Sequence, residues 1–288
     1  MASTREIRRR IRSVDNISKI THAMEMVSAA KMRRAQQRVL ASRPYSDRLA
    51  AVIGDLSAIP VEAGADESYP LLEQRPMQRS AVILITPDKG LTGALNTNVI
   101  RRASRYVLGE AGVPVEMIAV GKKGRDFMVR TRQDVVAEFV GLGDNVTLDA
   151  VRPIAEVATA DFLSGKADAV YVVYAEFVNT LVQHPAMRQV LPIVRPEGAG
   201  EYTDYIFEPS PRAVLEQLLP RYVEIQIYQA LLESTASEHS ARMVSMRNAT
   251  ENARELVGDL RLTYNKARQA QITQEVAEIS AGANALGG

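Results

Sequence analysis

Two stretches of the 288-residue chain combine residue types and spacings that chemistry uses. The first is TPDKGLTGALN (86–96), in which an apolar run ends in a glycine turn and a helical pattern begins, with Lys89 in the turn. That is the layout of a phosphate-binding loop, where backbone N–H groups and a helix N-terminus face an anion. The spacing fails, because Gly90 and Gly93 make GxxG, which is neither GxGxxG nor a turn closed by Gly-Lys-Ser/Thr. VGKKGRD (120–126) has a lysine pair and the same shortcoming. The second stretch is ITQEVAEISAGANAL (272–286), where Glu275 and Glu278 stand three apart and share a helix face. Two carboxylates so placed can act as an acid/base pair, but no histidine or lysine lies within a turn of them. They read as solvated helix carboxylates.

Other chemistry is excluded by composition. The chain has no cysteine, which removes disulfides, thiolate metal sites and cysteine nucleophiles. His22, His184 and His239 are far apart and never at metal-ligand spacing. No Ser-His-Asp pattern stands out. The sequence therefore predicts no catalytic residues, no cofactor and no metal in this chain.

What remains is charge. Residues 1–48 hold 12 Lys/Arg against 4 Asp/Glu, while residues 49–220 hold 16 against 22. A basic end beside an acidic middle suits an acidic partner, and a solvated basic helix face is the plainer reading. RRRIR (8–12) and KMRRAQQR (31–38) also fit a nucleic-acid-binding helical hairpin, although aromatics are scarce there. Met24, Met26 and Met32 lie between the basic residues and read either as helix core or as an adaptable sliding contact.

These residues need elements to hold them. From Ser3 to about Ala58, apolar residues fall at Ile7, Ile11, Val14, Ile17, Met24 and Val27, with a break at Thr21. Steps of three and four predict one long helix with a narrow stripe. Its Arg-rich start resembles a transit peptide in outline. Glu6, Asp15 and the unbroken helical pattern favour mature protein in a cytoplasmic setting.

From residue 61 to about 208, strand patterns at 80–88, 113–121, 134–141 and 168–178 alternate with helical stretches near 94–109, 122–130 and 147–164. This predicts a mainly parallel sheet covered by helices, a Rossmann-like α/β domain. Residues 179–194 suggest one or two added antiparallel strands and 195–205 a loop. Ser210 then reads as an N-cap and Pro211 as the first residue of a helix. Pro220 is expected to kink or restart that helix. From Tyr222 to Leu286 the helical period continues through Met243, Met246, Ala249, Ala253, Leu256, Leu260, Tyr264, Ala267 and Ala270.

Two long helices with narrow stripes each need a partner, and the simplest partner is the other helix. The expected architecture is α/β plus long helices: an antiparallel coiled coil of 1–58 and 210–288 with the α/β domain of 61–208 inserted between them. The second helix should be longer by about 10–15 residues, so that its tip projects.

The residues also resemble a family. KITHAMEMVSAAKMRRAQ (19–36), TPDKGLTGALN (86–96), ASEHSARMVSMRNATENA (236–253) and YNKARQAQITQEVAEISAGANAL (264–286) are similar to segments of the gamma subunits of F-type ATP synthases. The resemblance covers nearly the full length and is tighter at both ends than in the middle.

It implies a central rotor shaft inside a hexamer of alpha and beta subunits, with catalysis on beta. The foot would sit with epsilon on the c-subunit ring, and delta would be met only through the complex. Ion flow, of protons or sodium, would turn the shaft and so couple to ATP synthesis or hydrolysis. The implied location is peripheral, at the cytoplasmic face of a bacterial inner membrane, with no nucleic acid bound and no direct membrane insertion. Met24 matches the position that faces an acidic beta-subunit loop. Lys19, Lys31, Arg33 and Arg34 would steer toward that loop, and Arg242 would face it from the other helix.

Arg268, Gln269 and Thr273 match the polar positions that engage beta higher on the shaft, and Glu275 and Ile279 would follow them at the tip. Lys89 is a further implied contact. A shaft must leave each contact as it turns, so exposed pairs of roughly 0–1 kcal/mol each are expected. Ile272, Val276, Ile279 and Ala283 would line the slim end. With no cysteine and no insertion after Val194, thiol control of the chloroplast type is excluded and a bacterial origin is expected.

Overall fold

A computed structural model of the chain describes residues 3–58, 69–194, 208 and 210–286, without the side chains of 56–58, 211 and 283–286. The loop expected at 195–205, the start of the middle domain at 61 and the side chain of Ala283 lie outside the described residues. The chain divides into two compact units, Met1–Ser28 with Met243–Gly288, and Ala29–Arg242.

Helix α1 spans Thr4–Ala58 and helix α5 spans Pro211–Leu286. The first is opened by Ser3, whose Oγ accepts from Glu6 N at 3.2 Å. The second is opened by Ser210, whose Oγ accepts from Ala213 N, the third amide of the helix, at 3.2 Å. Both bonds satisfy donors that a helix start leaves without partners.

Pro220 neither ends nor restarts α5, so of the kink or restart expected there the restart does not occur. A proline removes one hydrogen bond, here to the carbonyl of Glu216. Pro220 and Glu216 both face water, while Leu215, Leu219 and Val223 are buried on the other side and keep the helix in place. Because the helix continues through Pro220, α5 has 76 residues against 55 for α1. The difference exceeds the expected 10–15.

In the unit of Met1–Ser28 with Met243–Gly288, the two helices run antiparallel. Glu25 accepts from Arg247 at 3.0 Å, Thr21 from Thr250 at 2.8 Å, and Thr4 donates to Gln271 at 3.2 Å. Arg8 donates to the Tyr264 hydroxyl, with its guanidinium carbon 5.3 Å from the ring centroid. The inward stripe is smaller and more polar than expected. Ser18, Ser28 and Thr250 are buried, whereas Ile17, Val27 and Leu256 are about half exposed. Small residues let two helices approach closely, and a paired threonine in the seam favours one register over its neighbours.

The unit Ala29–Arg242 holds the sheet. Its strands are β1 Ser80–Ile85, β2 Val115–Val120, β3 Val135–Phe139, β4 Ala169–Phe177 and β5 Gln183–Leu191, in the order β3-β2-β1-β4-β5. The first four are parallel and β5 pairs antiparallel with β4. Helices α2 Leu95–Arg105, α3 Lys122–Arg130 and α4 Leu148–Leu163 make the crossovers, and α2 ends in a wider π turn, Tyr106–Glu110.

Strand β1 is buried along its whole length because both its faces are covered. Ala81, Ile83 and Ile85 pack with α4 and with Leu49 and Ile53 of α1 and Leu215, Leu219 and Ile227 of α5. Val82 and Leu84 pack on the other side, with Leu95 and Val99 of α2 and Met128 of α3. That two-sided burial is why β1 reads as a continuous apolar run instead of an alternating one.

Candidate functional site

A doubly wound sheet binds ligands outside the carboxyl ends of its strands, where the strand order reverses. Here the reversal lies between β1 and β4. The turn after β1 is the glycine turn singled out from the sequence, and its side chains reach across to the start of α3. The Asp88 carboxylate accepts from Lys122 N at 2.8 Å and from Gly141 N at 3.0 Å. Thr86 Oγ1 accepts from Gly124 N at 2.8 Å, and the Pro87 carbonyl accepts from Lys123 N. The first amides of α3, which elsewhere cradle an anion, are thus taken by the chain's own oxygens. The VGKKG glycines serve packing: Gly121 has φ +93° and lies against the Thr86 backbone. The space left among Thr86, Asp88, Gly121, Ser234 and Glu238 is about 50 Å³. A ligand pocket typically measures roughly 300–1,000 Å³.

Helix α5 covers the rest of this edge. Ser237 Oγ donates to the Ala175 carbonyl at 2.9 Å and Ser240 Oγ to Thr180 at 2.6 Å, both in or after β4. Arg242 donates from Nε and Nη2 to the Gly90 carbonyl at 3.3 and 3.2 Å, and from Nη2 to Glu238 at 2.6 Å. Burial pushes the Glu238 carboxyl up, and Arg242 opposes that. One turn along, Asp144 in the loop after β3 accepts from Lys31 at 2.6 Å, and its carbonyl accepts from Arg38 at 3.0 Å. Burial pushes the Asp144 carboxyl up, but the bond and charge of Lys31, joined by His239 where its ring is protonated, outweigh it, and the net direction is down.

His239 Nε2 stands 3.1 Å from Asp144 Oδ1, but not at a hydrogen-bonding angle. Burial, reinforced by the Arg242 and Lys31 charges and opposed by Asp144, pushes His239 down to about 4. Its ring is therefore neutral at pH 7. A base whose folded value lies below its unfolded one loses stabilisation as pH falls from about 6.5 toward the folded value. Lowering the pH from 7 to 5 should cost the full chain about 2 kcal/mol through this residue alone. Urea titrations of wild type and His239→Gln at both pH values measure it. An equal loss in the two proteins would refute the assignment.

The residues expected to meet partners fall in both units. In the unit Ala29–Arg242, Lys31 and Arg242 are engaged within the chain at Asp144 and Gly90, and Lys89 and Arg33 are exposed. In the other unit Met24 is half-buried, and Arg268, Gln269, Thr273, Glu275 and Ile279 are all exposed. Glu275 accepts from Gln271 at 2.9 Å and Glu278 from Gln274 at 2.9 Å, so both carboxylates have helix partners. Lys19 pairs with Asp15 at 2.7 Å.

Sequence reasoning missed Asp88, Asp144, Ser237, Glu238 and Ser240. The Glu238–Arg242 spacing of four on a helix was a usable signal. The partners of the others lie 34 to 113 positions away. Among the described residues there is no group of three His, Cys, Asp or Glu able to hold a metal, and no helix long and apolar enough to cross a membrane.

A family model described as ATP synthase matches residues 3–286. The ATP synthase gamma chain of Roseiflexus castenholzii is 58% identical over 292 residues, covering 99% of each chain. That of Chloroflexus aurantiacus is 53% identical over 290 residues, again covering 99% of each. Among solved structures, a chain of the Euglena gracilis mitochondrial ATP synthase (OSCP/F1/c-ring, rotational state 3) aligns with a TM-score of 0.70 at 19% identity, covering 98% of this chain and 94% of that one. A chain of the Tetrahymena thermophila central stalk and c-ring aligns with a TM-score of 0.61 at 23% identity, covering 80% and 99%. These two likenesses concern the fold.

Proposed function

Because this chain belongs to the ATP synthase gamma-chain family, we propose that it acts as the rotor shaft by presenting different side-chain sets to static neighbours at successive angles. The shaft couples ion flow through the membrane ring to ATP synthesis or hydrolysis at sites on other subunits. A rotor biases those sites through differential contact and needs no reacting group of its own. In this reading the chain is a non-catalytic subunit of the complex.

The observation that carries the reading is the end of α5. Beyond Gln271, which accepts from Thr4 of α1, Ile272, Val276 and Ile279 are 50%, 57% and 72% exposed. Such a bare apolar stripe on a slim helix suits an apolar sleeve formed by the alpha and beta subunits. Arg268, Gln269, Thr273 and Glu275 sit at its base, where exposed polar groups can grip and release. Met24, Arg33 and Lys89 are the proposed contacts nearer the foot, with Lys31 contributing charge. Arg242 acts through the Gly90 carbonyl, holding the turn that carries Lys89.

Epsilon and the c-ring are the proposed partners of the foot, at the cytoplasmic face of the inner membrane, and delta is reached only through the complex. We assign three functional segments: 1–58 and 210–288 as the shaft, and 61–208 as the domain that receives the twist.

Co-purification tests this. Tagged chain should bring down alpha and beta, and capture of neither would end the rotor reading. Within the assembled complex, a chain ending before Arg268 should still enter the hexamer but turn with lower torque in single-molecule rotation. Unchanged torque would remove Arg268, Gln269, Thr273, Glu275 and Ile279 from the contact set.

A further inference from the structure

Within the unit Ala29–Arg242, the helices meet the α/β layers in two different ways. Around Leu49 and Ile53 of α1, and Leu215 to Leu231 of α5, the contact is mainly apolar, with one part-exposed ion pair, Arg152 to Glu224 at 3.7 Å. Apolar burial is non-directional, so it resists separation more than sliding. At the carboxyl edge of the sheet the contacts are directional, and one residue of the α/β domain meets both helices. That residue is Asp144. Lys31 and Arg38 of α1, seven positions and about two turns apart, donate to its carboxylate and its carbonyl. His239 of α5 faces the other carboxylate oxygen and is itself buried.

We propose that Asp144 is the positioning residue that locks the α/β domain in angle against its two helices, so that twist passes from domain to shaft without slip. The inference rests on the rotor reading. A single part-exposed ion pair is too weak for this task, with Lys31 34% and Asp144 48% exposed. Three groups from two helices converge on one residue: Lys31 and His239 meet its carboxylate, so a change there disturbs contacts to both helices, while Arg38 holds its backbone carbonyl. The loop itself supplies little stiffness, since Gly141 and Gly143 flank the approach to Asp144 and both have positive φ. The position of Asp144 is held by what it binds.

The test uses the intact synthase rebuilt in vesicles, with ATP hydrolysis and ATP-driven ion uptake measured on the same preparation. Asp144→Asn keeps the shape and removes the charge, and Asp144→Glu keeps the charge. Subunit stoichiometry and thermal unfolding of each complex are recorded alongside. The expected result is an Asp144→Asn complex that assembles and hydrolyses ATP but moves markedly fewer ions per ATP, with Asp144→Glu recovering most of the loss. An unchanged ion-to-ATP ratio in Asp144→Asn overturns the proposal. So does a parallel fall of both activities, failure of Asp144→Asn to assemble, or no recovery in Asp144→Glu, because each makes the residue a folding determinant or an idle one. A wild-type chain that fails to enter the complex would instead sink the rotor reading, and this inference with it.

Discussion

Replacing Arg242 by alanine should destabilise the full chain by about 3–5 kcal/mol at pH 8. The side chains of Arg242 and Glu238 are only 10% and 16% exposed, so the pair is poorly screened. The substitution leaves a largely buried carboxylate without its cation and the Gly90 carbonyl without two donors. Burial already pushes the Glu238 carboxyl up, and Arg242 is the main opposing influence. Without it the folded value rises further above the unfolded one.

A carboxyl raised in this way favours the folded state below the unfolded value and disfavours it increasingly as pH climbs through the folded value. The deficit of Arg242→Ala should therefore shrink between pH 8 and pH 5. Urea titrations of the variant and wild type at both pH values measure the difference. A deficit below about 1 kcal/mol, the usual worth of an exposed pair, would show that the pair behaves as surface charge. Arg242→Lys should recover the loss only in part, since one ammonium does not reproduce a fork that reaches both Gly90 and Glu238.

The second large effect is expected at Gly121. A Cβ there falls 1.7 Å from the Thr86 carbonyl oxygen and 2.7 Å from its carbonyl carbon, with φ at +93°. The obstacle is the backbone at the end of the central strand, held by the Thr86 N to Val120 carbonyl bond at 2.8 Å. It has no rotamer by which to yield. Gly121→Ala should cost about 4 kcal/mol or more, or leave no folded chain. Gly143 is the control: its φ is +73°, but a Cβ there meets nothing within 4 Å. Gly143→Ala should cost about 1 kcal/mol, the conformational penalty alone. Equal losses at the two positions would mean that positive φ, and not the close approach to Thr86, explains Gly121.

Much of the architecture is legible in the residue pattern. The strands at 80–85, 115–120, 135–139 and 169–177 fall inside the expected runs, and Ser210 caps α5 as expected. The misreadings share a cause. A restart at Pro220 is what the loss of one helix bond suggests, but burial of Leu215, Leu219 and Val223 outweighs that cost. Ile17 and Val27 were expected in the seam because they are the apolar residues at the right step, but Ser18 and Ser28 occupy it. Hydrophobicity marks a stripe only to within one position. Which neighbour turns inward depends on how closely the second helix approaches, and that distance is not a property of either segment alone.

The same division holds for the chemistry. The sequence by itself determined that the chain has no thiolate chemistry, that two long helices flank a mainly parallel sheet, and that the glycine turn after β1 lacks phosphate-loop spacing. Each follows from residue identity or from periodicity over a few neighbouring positions. Only the tertiary structure decided that Asp88 of that turn reaches the amides of Lys122 and Gly141, that Arg242 points inward to Gly90, and that Asp144 meets Lys31, Arg38 and His239. Such pairs join positions up to 152 residues apart. No local pattern encodes them, because a charge selects its partner only after the apolar layers have brought the two within reach and excluded the water that competes for both.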